Sequence, residues 1–183
     1  MAWATSCWVR PDLQIKAIRG NVDTRIRKVN EGEFDGVIVA EVGLERMGIN
    51  KLIAERFSLE KFTPAAGQGA LAVTAKKGKQ EVINVLRAID DPLARAEVVA
   101  ERSLVLTLEG GCRVPIGTIG RANETSLSLY ACVFSLDGAE KISSSADGSL
   151  SDAEALGRQV AKDLLRQGAK EFETQWRQKY GPW

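Results

Sequence analysis

The chain of 183 residues contains no histidine. That one absence removes Ser-His and Cys-His catalysis, together with any histidine-ligated zinc site. Cysteine is scarce: Cys7, Cys112 and Cys132 are odd in number, far apart and without a Cys-x-x-Cys pair. Such usage argues against a disulfide framework and for a reducing compartment. No apolar run reaches membrane-spanning length, and the first residues lack the basic-then-apolar pattern of a secretory signal. Net charge is almost absent as well, at +1 from 25 basic and 24 acidic residues, which argues against a general nucleic-acid binder. The default expectation is a cytoplasmic protein with neither nucleic acid nor membrane among its partners.

What is present is an ordinary globular composition, 44% hydrophobic and 27% charged. A chain of this length holds one medium domain or two small ones around a real core. No internal repeat or low-complexity tract interrupts it. In the first half, residues 13–18 read as a short strand and residues 22–29 as a short helix rich in Arg and Lys. Asp35-Gly36-Val37-Ile38-Val39-Ala40 is a continuous apolar run of strand length, as in a buried parallel strand. A short helix around residues 44–47 follows, then an irregular stretch to Pro64, and residues 70–74 form a further candidate strand. The alternation is that of an α/β protein.

Asp90-Asp91-Pro92 punctuates the chain, with Asp91 as a helix N-cap and Pro92 at the first helical position. The helix predicted over residues 93–108 lines up Leu93, Ala96, Ala100, Leu104 and Leu108, and Gly110-Gly111 stops it. Strands are predicted over 114–119, 126–135 and 141–145, with Asp137-Gly138 as the hairpin turn between the last two. Ser151-Asp152-Ala153-Glu154 has the pattern of a capping box opening the last helix, whose stripe is Leu156, Val160 and Leu164, with Gly168 ending or kinking it. Residues from about 91 onward therefore read as a separate small α+β domain of three antiparallel strands and two helices.

Two segments carry chemistry. In Glu109-Gly110-Gly111-Cys112-Arg113-Val114-Pro115-Ile116-Gly117, two glycines free the backbone to set a thiol out on an uncrowded loop. The neighbouring arginine favours the nucleophilic thiolate. The same residues also fit a Gly-rich turn leading a half-buried cysteine into a strand, with Arg113 a surface residue. Far upstream lies Ile18-Arg19-Gly20-Asn21-Val22-Asp23-Thr24-Arg25. Gly20 and Asn21 suggest a tight turn at a strand end, where ligands of α/β sheets bind. Against this, Arg25, Arg27 and Lys28 also fit a solvated helix face, and Arg19 and Arg46 fit surface ion pairs with Glu45 or Asp23. Cys132, inside an apolar strand run, is expected to be a buried small hydrophobe.

Four segments in order and spacing resemble the hydroxymethylbilane synthases, also called porphobilinogen deaminases. They are Arg19-Gly20-Asn21-Val22-Asp23-Thr24-Arg25, residues 40–48 with Gly43-Leu44-Glu45-Arg46, Pro64-Ala65-Ala66-Gly67-Gln68-Gly69-Ala70, and residues 109–117. The resemblance runs from Arg10 to the last helix. It implies an incomplete, periplasmic-binding-protein-like α/β domain over residues 1–90, followed by the small α+β domain over residues 91–183. It further implies a transferase of tetrapyrrole (porphyrin and haem) biosynthesis that deaminates porphobilinogen and joins the pyrroles into linear hydroxymethylbilane. The growing chain hangs from a dipyrromethane cofactor, and by motif Cys112 is its thioether attachment point. A soft thiolate suits the electron-poor carbon left when ammonia departs from porphobilinogen. Arg19, Arg25 and Arg46 are implied as partners of the acetate and propionate groups, which arginine binds through paired planar hydrogen bonds. Gln68, between two glycines, is implied to lie near the cofactor, with a hinge or turn role as the alternative. The implied partners are porphobilinogen and linear pyrrole intermediates, for a monomer whose exposed strand edges allow self-association.

The departures are equally definite. The family's catalytic aspartate, in a Lys-Asp-x-Pro context within an N-terminal domain, has no counterpart, so no catalytic residue is assigned. Lys162-Asp163 lies in the last helix and is followed by Leu164-Leu165. The family's Gly-Thr-Ser-Ser-x-Arg-Arg segment is replaced by Ala4-Thr5-Ser6-Cys7-Trp8-Val9 running straight into Arg10-Pro11-Asp12-Leu13. The expectation is a truncated, C-terminal portion of such an enzyme, inactive in isolation. The alternative is a non-catalytic remnant that at most binds polycarboxylate pyrroles.

Overall fold

Pro92 and Asp91 open the longest helix of the chain, and the rest of the fold is assembled on it. The computed structural model describes residues 2–108 and 115–181. In chain order the elements are helices α1 (Ala2–Val9), α2 (Val22–Asn30), α3 (Glu41–Arg46), α4 (Gln80–Leu86) and α5 (Pro92–Thr107), strands β1 (Ile116–Ala122), β2 (Leu127–Phe134) and β3 (Lys141–Gly148), and helices α6 (Ala153–Arg166) and α7 (Ala169–Tyr180). Asp91 caps α5 as expected: its Oδ1 accepts from the backbone N–H groups of Leu93 at 2.9 Å and Ala94 at 3.2 Å.

The three strands form one antiparallel sheet in the order β1-β2-β3. Side chains alternate along a strand, so β2 serves two faces. Leu127, Leu129, Ala131 and Val133 enter the main core with Ala96, Ala100 and Leu104 of α5 and Leu156, Val160, Ala161 and Leu164 of α6. Cys132 and Phe134 form a second buried cluster with Tyr130 packed against it. The two covering helices cross at Gly157, where a Cβ would lie 2.3 Å from the Ala100 carbonyl oxygen and 2.8 Å from Ser103 Cβ. Only glycine permits that approach, and the Ser103 hydroxyl fixes it by donating to the Glu154 carbonyl at 2.8 Å. The Asp137-Gly138 turn forms as expected. Gly138 has φ +75°, and Asp137 Oδ1 accepts from Ser135 Oγ at 2.6 Å and from the Ala139 N–H at 3.0 Å.

Two expectations for this region are corrected. The capping box at Ser151 does not form; Ser149 caps instead, accepting from the Ser151 N–H across a 3-10 turn at Leu150–Asp152. The sheet carries three helices rather than two. Gly168, at φ +103°, ends α6 and lets the chain reverse into α7, which buries Ala169, Phe172 and Trp176. Their spacing of three and four residues is a helical stripe. The Trp176 indole N–H donates to the Phe134 carbonyl at 3.3 Å.

The N-terminal half departs further from expectation. Helices α2 and α3 are present, but no strand forms over residues 13–18, 35–40 or 70–74. A strand needs a neighbour to complete its ladder, and among the described residues nothing pairs with these runs. The run at 70–74 stays open to solvent, with Leu71 87% exposed and Val73 60%, while Ile15, Ile18, Val37 and Val39 of the other two are only half-buried. Helices α1 and α4, and 3-10 turns at Asn50–Leu52 and Arg87–Ile89, form where no element was expected. Helix α1 brings the Trp8 ring edge-on to Phe134, with centroids 6.5 Å apart, and buries Thr5 and Ser6.

Candidate functional site

Gly20 begins the arginine-bearing segment. Its φ of +119° suits glycine alone, and a Cβ there would lie 2.8 Å from Thr24 Cγ2. The chain then enters α2 through Asn21, whose extended backbone (φ −69°, ψ 171°) marks the helix start. One turn on, Arg25 Nε donates back to the Gly20 carbonyl at 2.9 Å in an exposed bond, so its guanidinium folds over the turn while the residue as a whole is half-buried. Arg19, just before the turn, is exposed. Helix α3 meets this segment at Gly43, where a Cβ would stand 3.2 Å from Val22 Cγ2. Leu44 beside it is buried, and Arg46 emerges exposed from the last turn of α3.

Some neighbouring cations are matched, Arg27 with Glu31 and Lys28 with Glu33, each at 3.4 Å, and Arg56 with Glu41, whereas Lys16 and Lys51 are in no ion pair among the described residues. Among the described residues, Arg19 and Arg46 have no ion pair or side-chain hydrogen bond, and the pairings considered with Glu45 or Asp23 are not formed. The terminal nitrogens of Arg25 are likewise unengaged among the described residues. These guanidinium groups remain available to carboxylates from outside the chain.

The Pro64–Ala70 segment is a looped strap against the sheet. The Pro64 carbonyl accepts from the Thr118 N–H at 2.9 Å, and turns close from Gln68 N to Ala65 O and from Ala70 N to Gly67 O, both at 3.1 Å. Gly67, at φ +69°, directs its N–H to Glu101 Oε2 at 2.6 Å. Glu101 lies on α5, 8% exposed, and its other oxygen accepts from the Gly120 N–H of β1 at 2.8 Å. One turn earlier, Glu97 Oε1 accepts from the Ala122 N–H at 2.8 Å. Burial pushes the Glu101 carboxyl above its usual range, the two amide donors pull it back, and the nearby Glu97 charge pushes the same way as burial. Gln68 sits exposed at the top of this strap.

Cys112, with Arg113, lies outside the described residues; its segment joins the end of α5 at the buried Leu108 to the buried Pro115 before β1. Cys132 is a free, fully buried thiol whose pKa burial pushes up, with the Thr63 hydroxyl opposing. It is thus a packed residue of the sheet, as its strand context implied. Among the described residues no helix is long and apolar enough to cross a membrane, and no cluster of three or more His, Cys, Asp or Glu could hold a metal. Two surface grooves, one along Arg158, Lys162 and Arg166 of α6 and one between α5 and residues 150–154, involve none of Arg19, Arg25, Arg46 or Gln68.

The structure thus places Arg19, Arg25 and Arg46 on abutting segments, and Gln68 on a strap fastened to the sheet. Sequence reasoning missed Glu101. Its signal was present: Glu97 and Glu101 stand one turn apart beside the Ala96, Ala100 and Leu104 stripe, where a solvated face would not be expected to bury a carboxylate.

Two family models match the chain: "Porphobilinogen deaminase, dipyromethane cofactor binding domain" over residues 4–84, and "Porphobilinogen deaminase, C-terminal domain" over residues 95–166. The chain is 44% identical over 163 residues to the porphobilinogen deaminase of Desulforudis audaxviator, covering 89% of this chain and 53% of that protein. It is 45% identical over 163 residues to that of Brevibacillus brevis, covering 87% and 52%. A probable porphobilinogen deaminase of Nitrosopumilus maritimus is 34% identical over 174 residues, covering 95% and 56%. The chain spans about half the length of the curated relatives it matches.

Proposed function

We propose, because the chain belongs to the porphobilinogen deaminase family, that it carries the cofactor-holding part of a hydroxymethylbilane synthase. The activity is that of a transferase which deaminates porphobilinogen and links the pyrroles into hydroxymethylbilane in tetrapyrrole biosynthesis. In this reading Cys112 forms the thioether to dipyrromethane. Arg19, Arg25 and Arg46 bind the acetate and propionate groups of the pyrroles, and Gln68 lies beside them. When bound, the dipyrromethane supplies the anchored end from which the pyrrole chain grows. The protein's own contribution is to neutralise and orient carboxylates, and a planar guanidinium does this with two parallel hydrogen bonds.

One observation carries the reading. Arg19 and Arg46 are exposed and unpaired among the described residues, on segments that meet at Val22 and Gly43, while Arg27, Lys28 and Arg56 nearby are each matched to a carboxylate. That donor set suits a polycarboxylate ligand. No general acid is assigned; Asp23 stands in the first turn of α2, where an acidic side chain complements the helix dipole.

The reading also divides the chain into residues 1–90, an incomplete periplasmic-binding-protein-like α/β domain, and residues 91–183, a small α+β domain carrying Cys112. The unpaired apolar runs at 13–18, 35–40 and 70–74 support the first assignment, since they have strand composition without strand neighbours. A cytoplasmic monomer is the setting this reading implies.

The test is to incubate the chain with preformed hydroxymethylbilane and map the adduct by intact mass and peptide analysis. An adduct on Cys112 is expected, and one on Cys132 with Cys112 unmodified would overturn the assignment. Binding of linear pyrroles should weaken with rising salt and in Arg19→Ala, Arg25→Ala and Arg46→Ala. Each loss should be about 1.5–3 kcal/mol where the contact is desolvated and less where it is exposed. Unchanged affinity in all three would leave the arginines as surface charge only.

A further inference from the structure

Among the described residues, Glu101 is the one buried carboxylate whose two oxygens hold backbone from two different parts of the chain. Its Oε2 accepts from the Gly67 N–H at 2.6 Å in the strap, and its Oε1 from the Gly120 N–H at 2.8 Å in β1. Among the described residues the strap has one backbone–backbone bond to the sheet, from Thr118 N to Pro64 O, three residues before Gly67. Beyond that bond the Gly67-Gln68-Gly69 turn is fastened by the carboxylate. Gly67 requires left-handed backbone, and Gly120 leaves no room for a side chain because a Cβ would lie 2.9 Å from Glu97 Cα. Both glycines therefore present bare N–H groups to the same acid.

We propose that Glu101 is a positioning residue for the Gly67-Gln68-Gly69 turn, a buried clamp that sets where the Gln68 side chain stands relative to the sheet. The functional consequence rests on the reading above, in which Gln68 lies beside the pyrrole chain. A carboxylate fits the task because both oxygens accept and neither donates, so two converging N–H groups are satisfied at once. The charged groups around it are few. Glu97 is on the same helix with its own partner at Ala122, Arg121 on β1 is exposed, and residues 63–70 contain none. Helix α6, packed on α5, carries Glu154 and Arg158 paired with each other.

The experiment follows amide protons by NMR in the full chain. In the native protein, the Gly67 and Gly120 amide resonances should titrate together with a single midpoint above the ordinary glutamate value. Independent midpoints, or no titration at Gly67, would overturn the proposal. This measurement needs no variant and so survives any failure to fold.

Glu101→Gln keeps the shape but turns one acceptor into a donor. It should abolish the joint titration and speed hydrogen exchange by about tenfold or more at Gly67 or Gly120, whichever N–H then faces the amide nitrogen, with Leu104 in the helix interior unaffected. Glu97→Gln, the control, should loosen Ala122 and leave Gly67 as it was. Exchange unchanged at both Gly67 and Gly120 in Glu101→Gln would sink the clamp. Failure of the pyrrole-site reading would look different: porphobilinogen added to the native chain would leave the Gln68 amide unshifted while the joint titration persisted.

Discussion

Residues 2–90 and residues 91–181 are built from similar amino acids and reach different ends. In the second region every strand finds a neighbour, and three helices pack on the sheet. Among the described residues, all the buried apolar side chains except Leu44 lie from Ala96 onward. In the first region three apolar runs of strand composition remain irregular and unpaired, and large side chains such as Leu71, Val73, Val85 and Ile89 are more than half exposed. The difference is one of partners rather than of hydrophobicity. Burial is a property of two surfaces meeting, and an apolar run gains its roughly 25 cal/mol per Å² only where a second surface is present to cover it.

The comparison can be broken most sharply in the core. Leu104→Ala empties a fully buried site between helix and sheet and should cost about 2–5 kcal/mol in urea denaturation. Leu71→Ala, at an 87% exposed position in the first region, should stay within about 0.5 kcal/mol of the native chain. Equal losses from the two would mean that the regions are not unequal in packing.

Gly157→Ala tests the helix crossing. Its Cβ would meet the Ala100 carbonyl, so α5 and α6 must part, at a cost of about 1–3 kcal/mol by the same measurement. Asp91→Ala removes the cap that opens α5 and should cost about 1 kcal/mol.

The graded effect is one of pH and concerns the acid that links the two regions. The folded-state pKa of Glu101 is raised by burial above its unfolded value. The folded chain therefore holds the proton more tightly, and the associated stability is fully present below the ordinary glutamate pKa. It is lost as pH climbs through the raised value. Glu101→Gln lacks this linkage, so the margin of the native chain over the variant should shrink as pH rises across that window. Denaturation curves for both proteins at several pH values read it directly, and a margin that widens with pH would show that the two amide bonds outweigh burial.

Much of the second region was legible because its signals are local. Asp91-Pro92, Asp137-Gly138 and the Leu156, Val160 and Leu164 stripe each specify structure within a few residues, and each formed. Ser151 failed as a cap for an equally local reason: Ser149, two residues earlier, satisfies the turn first. Helix α7 was hidden because Gly168 reads as a stop, although a left-handed glycine also lets a new helix begin. In the first region, the run at 35–40 carried strand composition, but no sequence window states whether a ladder neighbour exists. The candidate site divides in the same way. Arg19, Arg25, Arg46 and Gln68 were named through the family resemblance of their segments, while Glu101 lay inside a helix whose stripe of small and apolar residues drew attention away from it.

The sequence by itself determined the family, through four segments in register, and the local devices that start and stop helices and turns. These depend on side chains a few residues apart, and a chain carries such neighbours with it wherever it folds. Only the tertiary structure decided which apolar runs were covered, which cations were left without carboxylates, and that one buried acid on α5 would fasten a strap 34 residues earlier in the chain to a strand 19 residues later. Those outcomes depend on contacts between segments distant in sequence. Their free energy comes from desolvating two surfaces together, and no pattern within one segment encodes its partner.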